Sequence, residues 1–146
     1  MNRERSAAFI VFVDYSKSLR EMIAAGRYDE TAVEVNPRNF RLEAVGCREV
    51  ELLLVQFDRP KGPVEIVTVM RGRGYRPATI EELLALAHAQ PDLQRSIPIV
   101  ALGSGLVMND RRYVPCLGGS QSARELGLAV IYRRWSIYYR FAFVRE

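Results

Sequence analysis

Side chains able to do acid–base, nucleophilic or metal chemistry are thinly spread along this chain. His88 is its only histidine, so neither a histidine-based metal cluster nor a two-histidine relay can be assembled, and its place near the end of a helical stretch suits the negative end of a helix dipole. Ser104 stands in Gly103-Ser104-Gly105, which lacks the wider G-x-S-x-G pattern of a nucleophile elbow and reads as a glycine-rich turn. Arg71-Gly72-Arg73-Gly74-Tyr75 has the spacing of neither a P-loop nor a dinucleotide fingerprint. Arg71, Arg73 and Arg76 could bind phosphate, but a solvated loop is the expected reading. Glu81 and Glu82 are adjacent acids in a first helical turn, where acids are favoured. Cys47 and Cys116 form no CxxC motif and are expected to be two reduced, buried thiols. The sequence therefore predicts no enzyme, no cofactor and no metal centre.

Recognition chemistry is concentrated instead at the C-terminal end. Residues 126–146 contain Tyr132, Trp135, Tyr138, Tyr139, Phe141 and Phe143 interleaved with Arg133, Arg134, Arg140 and Arg145, and with small residues such as Gly127, Ala129 and Ser136. Aromatics give rigid contact area at low entropic cost, and Arg and Ser adapt their hydrogen bonding, so this mixture favours binding surfaces. Basic and aromatic side chains in alternation also suit single-stranded nucleic acid, by stacking and charge. The alternative is a final strand pair with half of its residues in the core.

The elements that must carry these residues follow from patterning. The chain has 146 residues, is 49% hydrophobic and 26% charged, and has a formal net charge of +4 that is almost wholly arginine, with Lys17 and Lys61 its only lysines. This is the composition and size of one globular domain, and no apolar run reaches the length of a membrane span. Residues 1–6 are charged and the apolar run at 7–13 is short, so no signal peptide is read and a cytoplasmic location is expected. Strands are predicted at 8–14, 28–35, 40–45, 49–57, 97–104, 112–117 and 138–145, with a turn at 36–39. Helices are predicted from Ser16 as cap to about Ala25, with Gly26 as the stop, at 63–73 with Pro63 in its first turn, and after the box Thr79-Ile80-Glu81-Glu82 until Pro91. Two or three helices with several short strands argue α+β.

Gly74-Tyr-Arg-Pro-Ala-Thr-Ile-Glu-Glu-Leu-Leu-Ala-Leu86 resembles a segment of bacterial C-type-lectin-fold domains, among them relatives of the formylglycine-generating enzyme. The aromatic-rich close of the chain, with Trp135 and then Arg140-Phe-Ala-Phe-Val-Arg145, extends the likeness over residues 74–146. Within that fold the chain is most similar to variable proteins diversified by retroelements. The fixed positions of their pattern match Leu126, Leu128, Trp135, Arg140, Phe141, Val144 and Arg145. The positions between them are Gly127, Ala129, Val130, Ile131, Tyr132, Arg133, Arg134, Ser136, Ile137, Tyr138 and Tyr139. Adenine mutagenesis of AAY codons gives NNY codons, which cannot encode Glu, Lys, Gln, Met or Trp, and none of these occurs at the eleven positions.

The resemblance implies a single C-type-lectin-like domain over 1–146, α+β, with two or three helices packed on a mostly antiparallel sheet and with long loops. Residues 127–139 would be the variable, ligand-binding region. Leu126, Leu128, Trp135, Arg140 and Phe141 would form its scaffold, with Arg140 expected to pair with a buried acid or with backbone carbonyls. The implied function is hypervariable ligand recognition of bacterial or phage origin, with an unknown protein as partner; the alternative is a nucleic-acid-binding or phage-associated domain using the same patch. The calcium-dependent sugar motifs, the lectin disulfides and the paired active-site cysteines of the formylglycine-generating enzyme have no counterpart. Neither ligand identity nor oligomeric state is specified by the sequence.

Overall fold

The computed structural model describes residues 4–146; residues 1–3 of the charged N-terminal segment lie outside the described residues. The chain order is β1 (Arg5–Asp14), α1 (Leu19–Gly26), β2 (Glu30–Thr31), β3 (Cys47–Gln56), α2 (Pro63–Gly72), β4 (Tyr75–Pro77), α3 (Ile80–Ala89), a 3-10 turn (Leu93–Arg95), β5 (Ile99–Val100), β6 (Leu106–Met108), β7 (Arg111–Gly119), β8 (Arg124–Val130) and β9 (Arg140–Arg145). Nine strands among the described residues form one sheet in the order β1-β3-β9-β5-β7-β8-β2, with β4 also pairing β9 and β6 pairing β7. All pairs are antiparallel except β2 with β8 and β5 with β9. The architecture is α+β, with three helices on a large, mostly antiparallel sheet.

Strand alternation sends side chains to two faces, and both faces are apolar. Leu52, Leu54, Ala142, Val144 and Leu126 point to one face, where α1 contributes Leu19 and Met22 and α3 contributes Leu83 and Leu86. Val55, Phe141, Phe143 and Ala129 point to the other, where α2 contributes Ile66 and Met70 and Trp135 closes the cluster. The sheet is thus a middle layer between two cores, and the adjacent strands β3 and β9 contribute core residues to both.

Local chemistry sets the helix limits and corrects two expected ends. The α1 cap is Ser18, not Ser16: its hydroxyl accepts from the Glu21 N–H at 3.1 Å while Glu21 accepts from the Ser18 N–H at 3.0 Å. Ser16 instead hydrogen-bonds the Asp14 carboxylate. Gly26 belongs to the helix, and Arg27, at φ 51°, takes the left-handed capping position. Pro63 opens α2 as expected. Gly103 donates to the Ala78 carbonyl at 2.8 Å, and a Cβ there would lie 2.5 Å from that oxygen. This close approach lets the Ser104 hydroxyl accept from the Ile80 N–H at 2.8 Å, adding an acceptor at the start of α3 beside its N-cap Thr79.

Several expected strands shrink. Only Glu30–Thr31 of the 28–35 stretch pairs, with β8, and 40–45 forms no strand. The turn at 36–39 is present, with the Asn36 side chain accepting from the Arg38 and Asn39 N–H groups. The 97–104 strand reduces to Ile99–Val100, and β9 begins at Arg140 rather than 138. Cys47 is exposed and Cys116 half-buried, and both are free thiols, so the expectation of two buried thiols holds for neither in full.

Candidate recognition site

After β8 the chain leaves the sheet and returns to it at β9, and the residues between are the aromatic and basic ones singled out above. Its two ends are tied to distant parts of the chain. The Ile131 N–H donates to the Arg112 carbonyl at 2.8 Å, and the Arg140 N–H donates to the Pro98 carbonyl at 3.0 Å. In the middle, Trp135 forms an isolated antiparallel bridge with Lys61: the Trp135 N–H donates to the Lys61 carbonyl at 2.8 Å and the reverse bond is 3.3 Å. Gly62, the N-cap of α2, lies beside this bridge, where a Cβ would come within 3.1 Å of the Arg133 carbonyl. The Gln56 amide donates to the Ile137 carbonyl at 3.0 Å.

Side chains along this segment divide sharply. Trp135 is 1% exposed and stacks edge-on with Tyr132 (4.9 Å between centroids), Tyr139 (4.8 Å) and Phe141 (5.6 Å). Tyr132, Arg133, Arg134, Ser136, Ile137 and Tyr138 are exposed, and Tyr139 is half-buried against Trp135. Burial, and then the neighbouring Tyr132 hydroxyl, push the Tyr139 phenol up to about 12; it stays neutral through the physiological range. Among the described residues, neither Arg133 nor Arg134 takes part in an ion pair. Six exposed side chains of mixed chemistry therefore flank the buried Trp135 along the chain, and of these Tyr132 touches its ring. Such a surface offers stacking, guanidinium donors and hydroxyls; it brings together no nucleophile with a base.

Not every expected position belongs to it. Gly127, Ala129 and Val130 are residues of β8, within the sheet. Ala129 is only 9% exposed and packs in the core beside Trp135, so it cannot make ligand contacts. Val130 and Ile131 are half-buried, Ile131 against the same core. Gly127 is half-buried, yet a Cβ there would meet nothing within 4 Å. Of the scaffold positions, Leu126 and Phe141 are buried on opposite faces and Leu128 is half-buried. Among the described residues, Arg140 has no side-chain hydrogen bond or ion pair, contrary to expectation; its backbone N–H carries the anchoring bond to Pro98. No family model, curated protein or solved structure matches the chain.

The arginines once considered for phosphate are committed elsewhere, Arg71 to Glu146, Arg73 to Glu4 and Arg76 to Glu82. Among the described residues no group of three His, Cys, Asp or Glu side chains is placed to hold a metal, and no helix is long and apolar enough to cross a membrane. Sequence reasoning missed two buried polar centres. Arg124, 5% exposed, donates to the carbonyls of Gly26, Ala87 and Pro91 and to the Gln94 side chain. Glu82, 1% exposed, accepts from Arg76, Tyr15 and Thr79. Both are structural, and only the Thr79–Glu82 spacing announced either.

Proposed function

We propose that this chain is a recognition protein of C-type-lectin-like fold whose 131–139 segment is a ligand-binding surface diversified by a retroelement, with a protein as partner. The observation that carries the reading is the division of that segment: six exposed side chains flank, along the chain, a buried Trp135 whose backbone is bridged to Lys61. A surface under diversification must change its contacts without unfolding its frame, and exposed loop side chains over a packed anchor meet that need. Binding, not catalysis, is the activity this arrangement supports. The contact set is smaller than the sequence suggests: Tyr132, Arg133, Arg134, Ser136, Ile137 and Tyr138, with Gly127 as a further substitutable position.

Sequencing this gene across its source population tests the proposal. Variation is expected to concentrate at those codons, at positions matching adenines of a nearby template copy, while Trp135, Phe141 and Ala129 stay fixed. Even variation along the gene overturns it. The unpaired Arg133 and Arg134 beside Tyr132 and Tyr138 favour a second reading, single-stranded nucleic acid. Anisotropy of a labelled oligothymidine separates the two: affinity that falls steeply with salt and disappears in Arg133→Ala/Arg134→Ala establishes the second reading, and salt-independent or absent binding removes it.

A further inference from the structure

β1 lies at one end of the sheet order, paired with β3 on one side only. An open strand edge is a template for another strand, and proteins usually guard such edges with charge, proline or a bulge. From Ser6 to Val13, β1 has no charged residue, no proline and no glycine, and Ile10 (67%) and Phe12 (62%) are among the most exposed large apolar side chains.

The direction of the free backbone groups is fixed by the pairing. The Tyr15 N–H donates to Gly46 at 2.8 Å, continuing the register that sets Asp14 opposite Cys47. Backbone groups alternate sides along a strand, so odd residues of β1 bond to β3 and the even residues, Ser6 to Asp14, direct theirs outward. Ser6, Ala8, Ile10 and Phe12 are all exposed.

We propose that the partner for this edge is a second copy of the chain, paired antiparallel through β1 with Ile10 on the two-fold axis. Two-fold pairing joins residues of like parity, and centring on Ile10 uses the whole even set: Ile10 meets Ile10, Phe12 meets the partner's Ala8, and Asp14 meets the partner's Ser6. Large side chains face small ones, and about eight backbone hydrogen bonds form between the chains, since each Asp14 carbonyl already accepts from its own Lys17 N–H. On the opposite face the same register sets Arg5 of each copy across from the partner's Tyr15. A cleft of about 210 Å³, lined by Asp14, Lys17, Glu81 and His88 among others, lies beside this end of β1. Glu81 is 5% exposed and its Oε2 has no hydrogen-bond partner. The interface is isologous, extends the sheet to both copies, and does not depend on the ligand-binding reading.

Sedimentation equilibrium across micromolar concentrations tests it, with crosslinking to fix the register. The wild type is expected to dimerise. Ile10→Glu, which sets two like charges together on the axis, should weaken the dimer by about 100-fold or more, with an unchanged circular dichroism spectrum because Ile10 is exposed. Tyr138→Ala should leave the dimer intact. In a Cys47→Ser background, Ile10→Cys should be joined between chains by a short thiol-reactive bifunctional crosslinker, since paired Cα atoms at such a position lie about 5.5 Å apart. A wild type that remains monomeric, a dimer indifferent to Ile10→Glu, or an Ile10→Cys dimer that does not crosslink overturns the proposal.

Discussion

Glu82 accepts hydrogen bonds from Arg76 at 2.9 and 2.7 Å, from the Tyr15 hydroxyl at 2.6 Å and from the Thr79 N–H at 2.8 Å. Burial alone would raise its pKa, but these donors outweigh it and hold the carboxyl below its ordinary 4.5. Glu81, one residue earlier, is raised by burial. The consequences have opposite sign. The charged form of Glu82 stabilises the fold above the unfolded-state value, and that contribution is lost as pH falls through the lowered pKa. Glu81 favours the fold when protonated, and its contribution is lost as pH rises through the raised pKa. Glu82→Gln should therefore cost about 3 kcal/mol at pH 7, because Arg76 loses its buried counter-charge, and the loss should shrink towards pH 4. In the monomeric Ile10→Glu background, Glu81→Gln should raise Tm at pH 7 by about 3 °C and do little at pH 4. Melting curves of both variants at the two pH values check the signs.

At the scale of elements, the 131–139 segment combines a backbone bonded to distant parts of the chain with mostly exposed side chains. Trp135→Ala removes a buried indole and its contacts with Tyr132, Tyr139 and Phe141, and should cost about 3–5 kcal/mol. Tyr138→Ala, at 58% exposure, should change stability by no more than about 0.5 kcal/mol. Urea unfolding of the two variants separates anchor from contact; equal losses would mean that the exposed side chains also hold the segment. Much of this was legible in composition, since the aromatic and basic residues are contiguous. Its anchors were not, because Lys61, Gln56, Pro98 and Arg112 are distant in sequence and hold the segment largely by backbone bonds, which residue type does not encode. The same contrast runs through the fold. β1, β3, β7, β9 and α3 follow from apolar runs and a capping box, whereas the seven-residue β8 carries no strand signal of its own and is set by its pairing with β7. Local propensity is silent about the three-residue β4 and β6, and it overstates β2 and β5, because neighbouring strands set how much of 28–35 and 97–104 pairs. At α1 the Ser18-x-x-Glu21 box is the fuller capping signal than Ser16, and the helix stop that Gly26 suggests falls one residue later, on Arg27.

Across the whole molecule, the sheet separates two jobs. The face covered by α1 and α3 holds the larger core and is locked by Arg124, whose guanidinium reaches the C-terminal ends of both helices through Gly26 and Ala87. Those ends carry unpaired carbonyls and the negative end of the helix dipole, so one buried cation satisfies both. The 131–139 segment sits over the other face, on the core that contains Trp135. Substitutions there are separated from Arg124 by the sheet, and effects at sites without shared partners add. Replacing Tyr138, Ile137, Arg133 and Arg134 together with Ser should then shift the unfolding free energy by no more than about 1 kcal/mol. Arg124→Lys keeps the charge but cannot span Gly26, Ala87, Pro91 and Gln94 at once, leaving buried acceptors unpaired, and should cost about 3 kcal/mol. In the combined variant the two losses should sum to within about 0.5 kcal/mol. A coupling larger than that, measured by urea titration of the three proteins, would mean that the sheet transmits changes between its faces, and a surface free to vary would then have to be sought elsewhere on the molecule.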